Sequence, residues 1–237
     1  MTEPVSRAIL VVDVERSSDR TDTEKAELRA VLYRVLHDAL DAAYPPTERR
    51  RLDDLGDGVL AVVDAEVLPL LDPLPDVVAE GLARHNATVP PPAWLRLRLG
   101  VHFGLVARDA HGWVGEAMTE AFRVVNGPGV KAVLRAADRA QSVVVVSDAV
   151  HHSVVRHGFR DIRPESYGRL VDEGRTVWVR VPGYAVPPLP REPQAPGATT
   201  SAPAAGKVVT IGTVQGNAFT VDTITHLDAR SRFGGTP

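Results

Sequence analysis

Ala8-Ile9-Leu10-Val11-Val12-Asp13 and Leu55-Gly56-Asp57-Gly58-Val59-Leu60-Ala61-Val62-Val63 are the two stretches on which the fold turns. The first is a short apolar run rich in β-branched residues, and it reads as a buried strand that ends at an acid. The second reads as the tip and return strand of a hairpin, with Arg49–Asp54 as the outgoing strand and glycines at the turn. Two aspartates 44 residues apart therefore stand where adjacent strands emerge. Carboxylates placed in that way repel each other unless a cation lies between them. Mg²⁺ (or Mn²⁺) suits the position, because Mg²⁺ accepts one or two carboxylates and completes its octahedron with water and phosphate oxygens. Taken alone, Asp57 reads equally well as an ordinary turn residue, since Asp-Gly pairs favour turns. Asp13 directly follows five apolar residues, is poorly solvated there and asks for a partner.

Outward from these stretches the elements alternate. Thr21-x-x-Glu24 is a capping box, and Leu28, Val31, Leu32, Val35, Leu36, Leu40 and Ala43 give the following helix one apolar face before Tyr44-Pro45-Pro46 stops it. A second helix is predicted over about 75–85. Leu95–Leu99 alternates and reads as a half-buried strand that continues through Val101-His102-Phe103-Gly104. A third helix fits 116–137 with an interruption at Asn126-Gly127-Pro128-Gly129, followed by a strand over 142–146, a short helix over 148–156 and a strand over 176–181. This βαββαβ order with an extra αβ predicts an α+β, ferredoxin-like domain: an antiparallel-rich sheet with helices on one face.

Composition narrows the function. Across 237 residues the net charge is −3, which gives no reason to expect nucleic-acid or membrane-surface binding. There is no apolar run of membrane-spanning length and no signal-peptide pattern, so a cytoplasmic location is the expectation. With no cysteine, thiolate nucleophiles, disulfides and zinc–thiolate centres are excluded. His102, His111, His151 and His152 do not form a ligand pair with an acidic partner and read as surface or core histidines.

Four segments, in order and with typical spacing, resemble the catalytic domain of class III adenylyl and guanylyl cyclases. Val11–Ser18 looks like the first metal-binding segment and Leu55–Val62 like the second. Arg98-Leu99-Gly100-Val101-His102-Phe103-Gly104 resembles the central strand, and Gly115–Arg123 the segment with the transition-state residues. The hairpin lacks the Gly-Gly-acid-acid-Phe tip of diguanylate cyclases. The resemblance implies a cyclase-type sandwich that binds a purine nucleoside triphosphate with Mg²⁺ on Asp13 and Asp57. It implies a homodimer in which those aspartates face Thr119 and Arg123 of the other chain, and it places Asp53 and Gly56 in nucleotide binding. The chain departs from the pattern at Thr119, where the family has Asn, and near Gly112, which brings no side chain to a base-reading position. Asp53 stands where guanylyl cyclases carry an acid, a group able to accept from the guanine edge; it reads equally as one more solvated acid of a charged run.

The domain is expected to span 1–181. Residues 182–206, dominated by Pro, Ala, Gly, Ser and Thr, read as a flexible linker. Residues 207–237 read as a short β-prone segment, either a self-assembling motif over 207–227 that recruits partners or a hairpin with Gln215-Gly216-Asn217 as its turn. The alternative to an enzyme is thus a nucleotide-sensing scaffold that signals through this segment.

Overall fold

The computed structural model describes residues 2–44 and 50–190; the β-prone segment and most of the proposed linker lie outside them. Within this span the capping box forms as its residues predict. Thr21 N–H donates to Glu24 Oε2 at 2.8 Å and Glu24 N–H to Thr21 Oγ1 at 3.4 Å, opening α1 (Asp22–Ala43). Its buried stripe is Leu28, Val31, Leu32, Val35, Leu36, Ala39 and Leu40. The remaining helices are α2 (Leu74–Asn86), α3 (Glu116–Asn126), α4 (Pro128–Ala136) and α5 (Asp148–Ser153). The interruption expected at Gly127 divides α3 from α4.

Eight strands form one sheet: β1 (Val5–Val14), β2 (Arg50–Asp54), β3 (Gly58–Val63), β4 (Leu97–Asp109), β5 (Gly112–Val114), β6 (Ser142–Ser147), β7 (Gly168–Asp172) and β8 (Arg175–Arg180). Their order is β2-β3-β1-β4-β6-β8-β7, with β5 paired to β4. Only β4 and β6 run parallel; every other pairing is antiparallel. The α+β, ferredoxin-like class holds. Strands β5 and β7 have no counterpart in the sequence reading, because three residues (Gly112–Val114) and the charged Gly-Arg-Leu-Val-Asp carry little strand pattern.

One expectation is corrected. Helices cover both faces of the sheet, not one. Ala8, Leu10 and Val12 pack with α1, α2 and α5, whereas Ile9 and Val11 pack with α3 and α4. The physical reason is in the strands: β3 and β6 are buried at every residue, and a strand without a polar face needs a layer on each side. Residues 181–190, the last described, have no regular structure, yet Tyr184 packs on the α3–α4 side and its hydroxyl donates to Asp138 Oδ1 at 3.1 Å.

Candidate functional site

The register of the central strands sets Asp13 between Gly58 of β3 and Arg98 of β4. The hairpin tip folds back on this point. Leu55 N–H donates to Gly58 O at 3.0 Å to close the turn, and Val14 N–H donates to Asp57 O at 3.1 Å, which ties the tip to the end of β1. Gly56 takes φ +87°, a left-handed conformation that the turn requires. Gly58 is needed for a different reason: a Cβ there would lie 2.2 Å from Val12 O. Gly58→Ala should therefore separate β3 from β1 and cost about 1–3 kcal/mol, the usual range for overpacking, measurable as a drop in the urea midpoint at constant slope.

After β1 the chain makes a one-turn 3₁₀ segment (Ser17–Asp19) entered through Arg16, whose φ of +58° is rare for a residue with a side chain. Ser17 Oγ donates to Asp57 Oδ2 at 3.1 Å, so the two acidic segments meet. Asp57 is exposed; Asp13 is largely buried in an ion pair with Arg98, which is itself only 6% exposed. Burial pushes the Asp13 carboxyl above the usual carboxylate range and the Asp57 charge adds to this, while the Arg98 guanidinium opposes it. Asp13 Oδ2 meets Arg98 Nη2, and Arg98 Nε has no hydrogen-bond partner among the described residues.

A cleft of about 370 Å³ opens over these groups, with Asp13, Asp57, Ser17, Arg98, Lys131 and Arg135 in its walls. On the far side of the 3₁₀ segment a more apolar cavity of about 420 Å³ is lined by Val14, Leu28, Leu32, Leu55, Gly56 and Asp57. The cleft fits a hard cation. A half-buried carboxylate paired with Arg98 and a second, solvated carboxylate both line it, and the ligands they offer are all oxygen. No group of three or more His, Asp or Glu side chains suited to a metal occurs among the described residues, so the rest of an octahedron would come from water and phosphate.

The other expected site residues lie elsewhere on the chain. Asp53 pairs in register with Leu60, faces the α3–α4 side of the sheet and does not line the cleft; its nearest cation is Arg51 Nε at 3.9 Å. Gly56 lines the apolar cavity and its carbonyl accepts from Arg29 Nη1 at 3.3 Å. Thr119 and Arg123 are exposed on α3 and share a shallow depression with Phe122, Asn126 and Glu173; Arg123 Nη1 lies 3.5 Å from Glu116 Oε1. Asn126 borders both this depression and the cleft. A single chain thus unites Asp13 with Asp57 and keeps Thr119 and Arg123 on neighbouring surface.

Sequence reasoning passed over Arg96 and Arg98, reading their strand as having a solvated face. Arg98 is buried against Asp13, and Arg96 donates to Glu15 Oε2 at 2.9 Å and to Ala137 O at 2.8 Å. The signal was available: an Arg within a buried strand needs an acid, and Asp13 and Glu15 end the neighbouring one. His102 and His151 are buried core histidines, whereas His111 and His152 are exposed. His102 Nδ1 lies 2.7 Å from Ser147 Oγ, and His151 stacks on Trp178 at 3.5 Å.

No protein-family model matches the chain, and no curated protein matches it in sequence. Among solved structures it is similar to an adenylate/guanylate cyclase/hydrolase from Silicibacter pomeroyi (TM-score 0.57, 18% identity, covering 77% of this chain and 100% of that one). It is also similar to a bacterial light-regulated adenylyl cyclase (0.53, 14%, covering 75% and 90%). A third is the catalytic core of a rhodopsin-guanylyl cyclase with converted specificity in complex with ATPαS (0.51, 17%, covering 76% and 98%). At such identities the likeness is one of fold.

Proposed function

We propose that this chain, whose fold is that of the class III adenylyl and guanylyl cyclase catalytic domain, is a cytoplasmic signalling protein that binds a purine nucleoside triphosphate with Mg²⁺. Weak cyclisation to a 3′,5′-cyclic nucleotide and pyrophosphate is its proposed reaction. The observation that carries the reading is that Asp13 and Asp57 line one cleft at the mouth of β1 and the hairpin, with Ser17 donating to Asp57.

In this reading Asp13 and Asp57 hold the cation, which when bound neutralises charge on the phosphates and the pyrophosphate leaving group. Arg98 pairs with Asp13 in the cleft and opposes the upward push that burial gives its carboxyl. The outward position of Thr119 and Arg123 on α3 supports a homodimer in which they reach the partner's cleft and stabilise charge on the α-phosphate. Gly56 lines the adjoining cavity and is assigned to nucleotide binding, whereas Asp53 lies outside the cleft, so the contact with a guanine edge that the resemblance implies has no support within one chain.

The direct test is incubation of pure protein with Mn²⁺ and either ATP or GTP, followed by mass spectrometry for cyclic product. Product that disappears in Asp57→Ala is the expected result. Metal-dependent binding without any product would favour the second reading, a nucleotide-sensing scaffold that signals through residues 207–227. What favours that reading is Thr119, which offers one hydroxyl donor where an amide offers two, together with Gly112.

A further inference from the structure

The wall of the cleft opposite Asp13 and Asp57 is formed by α4, and it carries two cations, Lys131 and Arg135, of which only Lys131 acts on Asp13, and that at longer range than an ion pair. Lys131 and Arg135 are four residues apart, so they sit one above the other on the same helix face. Both line the cleft, and neither forms an ion pair among the described residues. The other cations there are engaged: Arg98 with Asp13 and Arg16 with Asp19. Like charges at this spacing repel, and Lys131 stands near the helix N-terminus, where the dipole disfavours a cation. An anion in the cleft removes both penalties.

The helix is also held in place at both ends. Asp172 of β7 accepts from Gly129 N–H and Val130 N–H, each at 3.1 Å. Arg96 donates to Ala137 O at 2.8 Å and Ala140 O at 3.0 Å, and the same guanidinium donates to Glu15 Oε2 at 2.9 Å, two residues after Asp13. Val130, Val133 and Leu134 are fully buried beneath. The positions of Lys131 and Arg135 relative to Asp13 are thereby fixed within one chain. A second feature points to a ligand: Arg98, 6% exposed, lines the same cleft with its Nε unpartnered.

Resting on the reading of Asp13 and Asp57 as cation ligands, we infer that α4 makes this cleft a single-chain polyphosphate site. Lys131 and Arg135 grip the phosphate chain, which is selected in place of the base. The lining of the cleft supports selection by phosphate: Val14 is its one apolar side chain among ten polar or charged residues, so within the cleft a purine has nothing apolar to stack on. Asp53 lies on other surface, and a base would have to leave the cleft for the adjoining cavity of Leu28, Leu32 and Leu55. Inorganic tripolyphosphate should then bind the chain about as well as ATP or GTP.

Calorimetric titration of the full chain with tripolyphosphate, ATP and GTP, with and without Mg²⁺, tests this. The expected result is one ligand per chain at any protein concentration, with the three Mg²⁺-dependent affinities within about threefold of one another. Lys131→Gln and Arg135→Gln should each weaken all three by about ten- to a hundredfold, as loss of a charged hydrogen bond does. The ligand-free melting temperature should be unchanged or raised, because a repulsion is removed. A nucleotide that binds ten times more tightly than tripolyphosphate overturns the inference, as do Lys131→Gln and Arg135→Gln variants that bind like wild type while Asp57→Ala does not bind. Unaltered metal-dependent binding in Asp57→Ala instead unseats the cation site itself.

Discussion

Asp57→Ala is expected to abolish the Mg²⁺-dependent thermal stabilisation that a non-hydrolysable nucleoside triphosphate gives the wild-type chain. At a ligand concentration of about one hundred times Kd, binding stabilises the native state by about 2.7 kcal/mol. For a domain of this size that corresponds to roughly 5–10 °C in Tm. The substitution should leave the ligand-free protein nearly as stable as before, within about 0.5 kcal/mol, since the side chain is exposed. What it loses is one bond from Ser17 Oγ. The main-chain bond from Val14 N–H to Asp57 O, which fastens the hairpin tip, does not depend on the side chain. Differential scanning calorimetry with and without Mg²⁺ separates the two effects. Equal stabilisation of wild type and variant by the metal–nucleotide pair would remove Asp57 from the site.

The juxtaposition behind this expectation was legible because its signals are local. A β-branched run followed by an acid marks β1, and a Gly-Asp-Gly turn between two short strands marks the hairpin. Antiparallel pairing then brings their ends together. What the residues near Asp13 could not convey was which distant groups would close over it. Lys131 and Arg135 reach the cleft only because Asp172, from β7, and Arg96, immediately before β4, clamp the two ends of a nine-residue helix. Asp172 is 42 positions from Val130, and neither segment carries any mark of the other. The two-sided covering of the sheet was misjudged for a related reason. The uninterrupted apolar runs of β3 and β6 did announce it, but the alternation of Leu95–Leu99 suggested a solvated face, and the arginines that produce that alternation are turned toward buried acids and a helix end. A charged residue in a strand reports a partner as readily as it reports water.

Thr119→Asn carries the other large expectation, and it bears on whether the fold works as a catalyst. Thr119 and Arg123 occupy successive turns of α3, are both exposed, and border the cleft only through Asn126. If two chains complete each site, they are the groups that α3 of one presents to the phosphates of the other. A hydroxyl at 119 is shorter than an amide and supplies one donor fewer. Restoring the amide should raise cyclic-nucleotide formation by about 10²–10³, the usual worth of one positioned donor to a developing oxyanion. Binding measured by calorimetry should stay constant, since the donor acts on charge that develops only in the transition state. The gain should vanish when Arg123→Ala is added, because the two groups address the same phosphate and their effects are not additive. It should also grow more than linearly with protein concentration while the dimer is incompletely formed. Asn at an exposed helical position changes intrinsic propensity by only a few tenths of a kcal/mol, so a folding defect would not mask the result. Should nucleotide bind and product remain unchanged, the deficiency lies at Asp53 and Gly112, the two positions that depart from or only loosely match the family's base-reading residues.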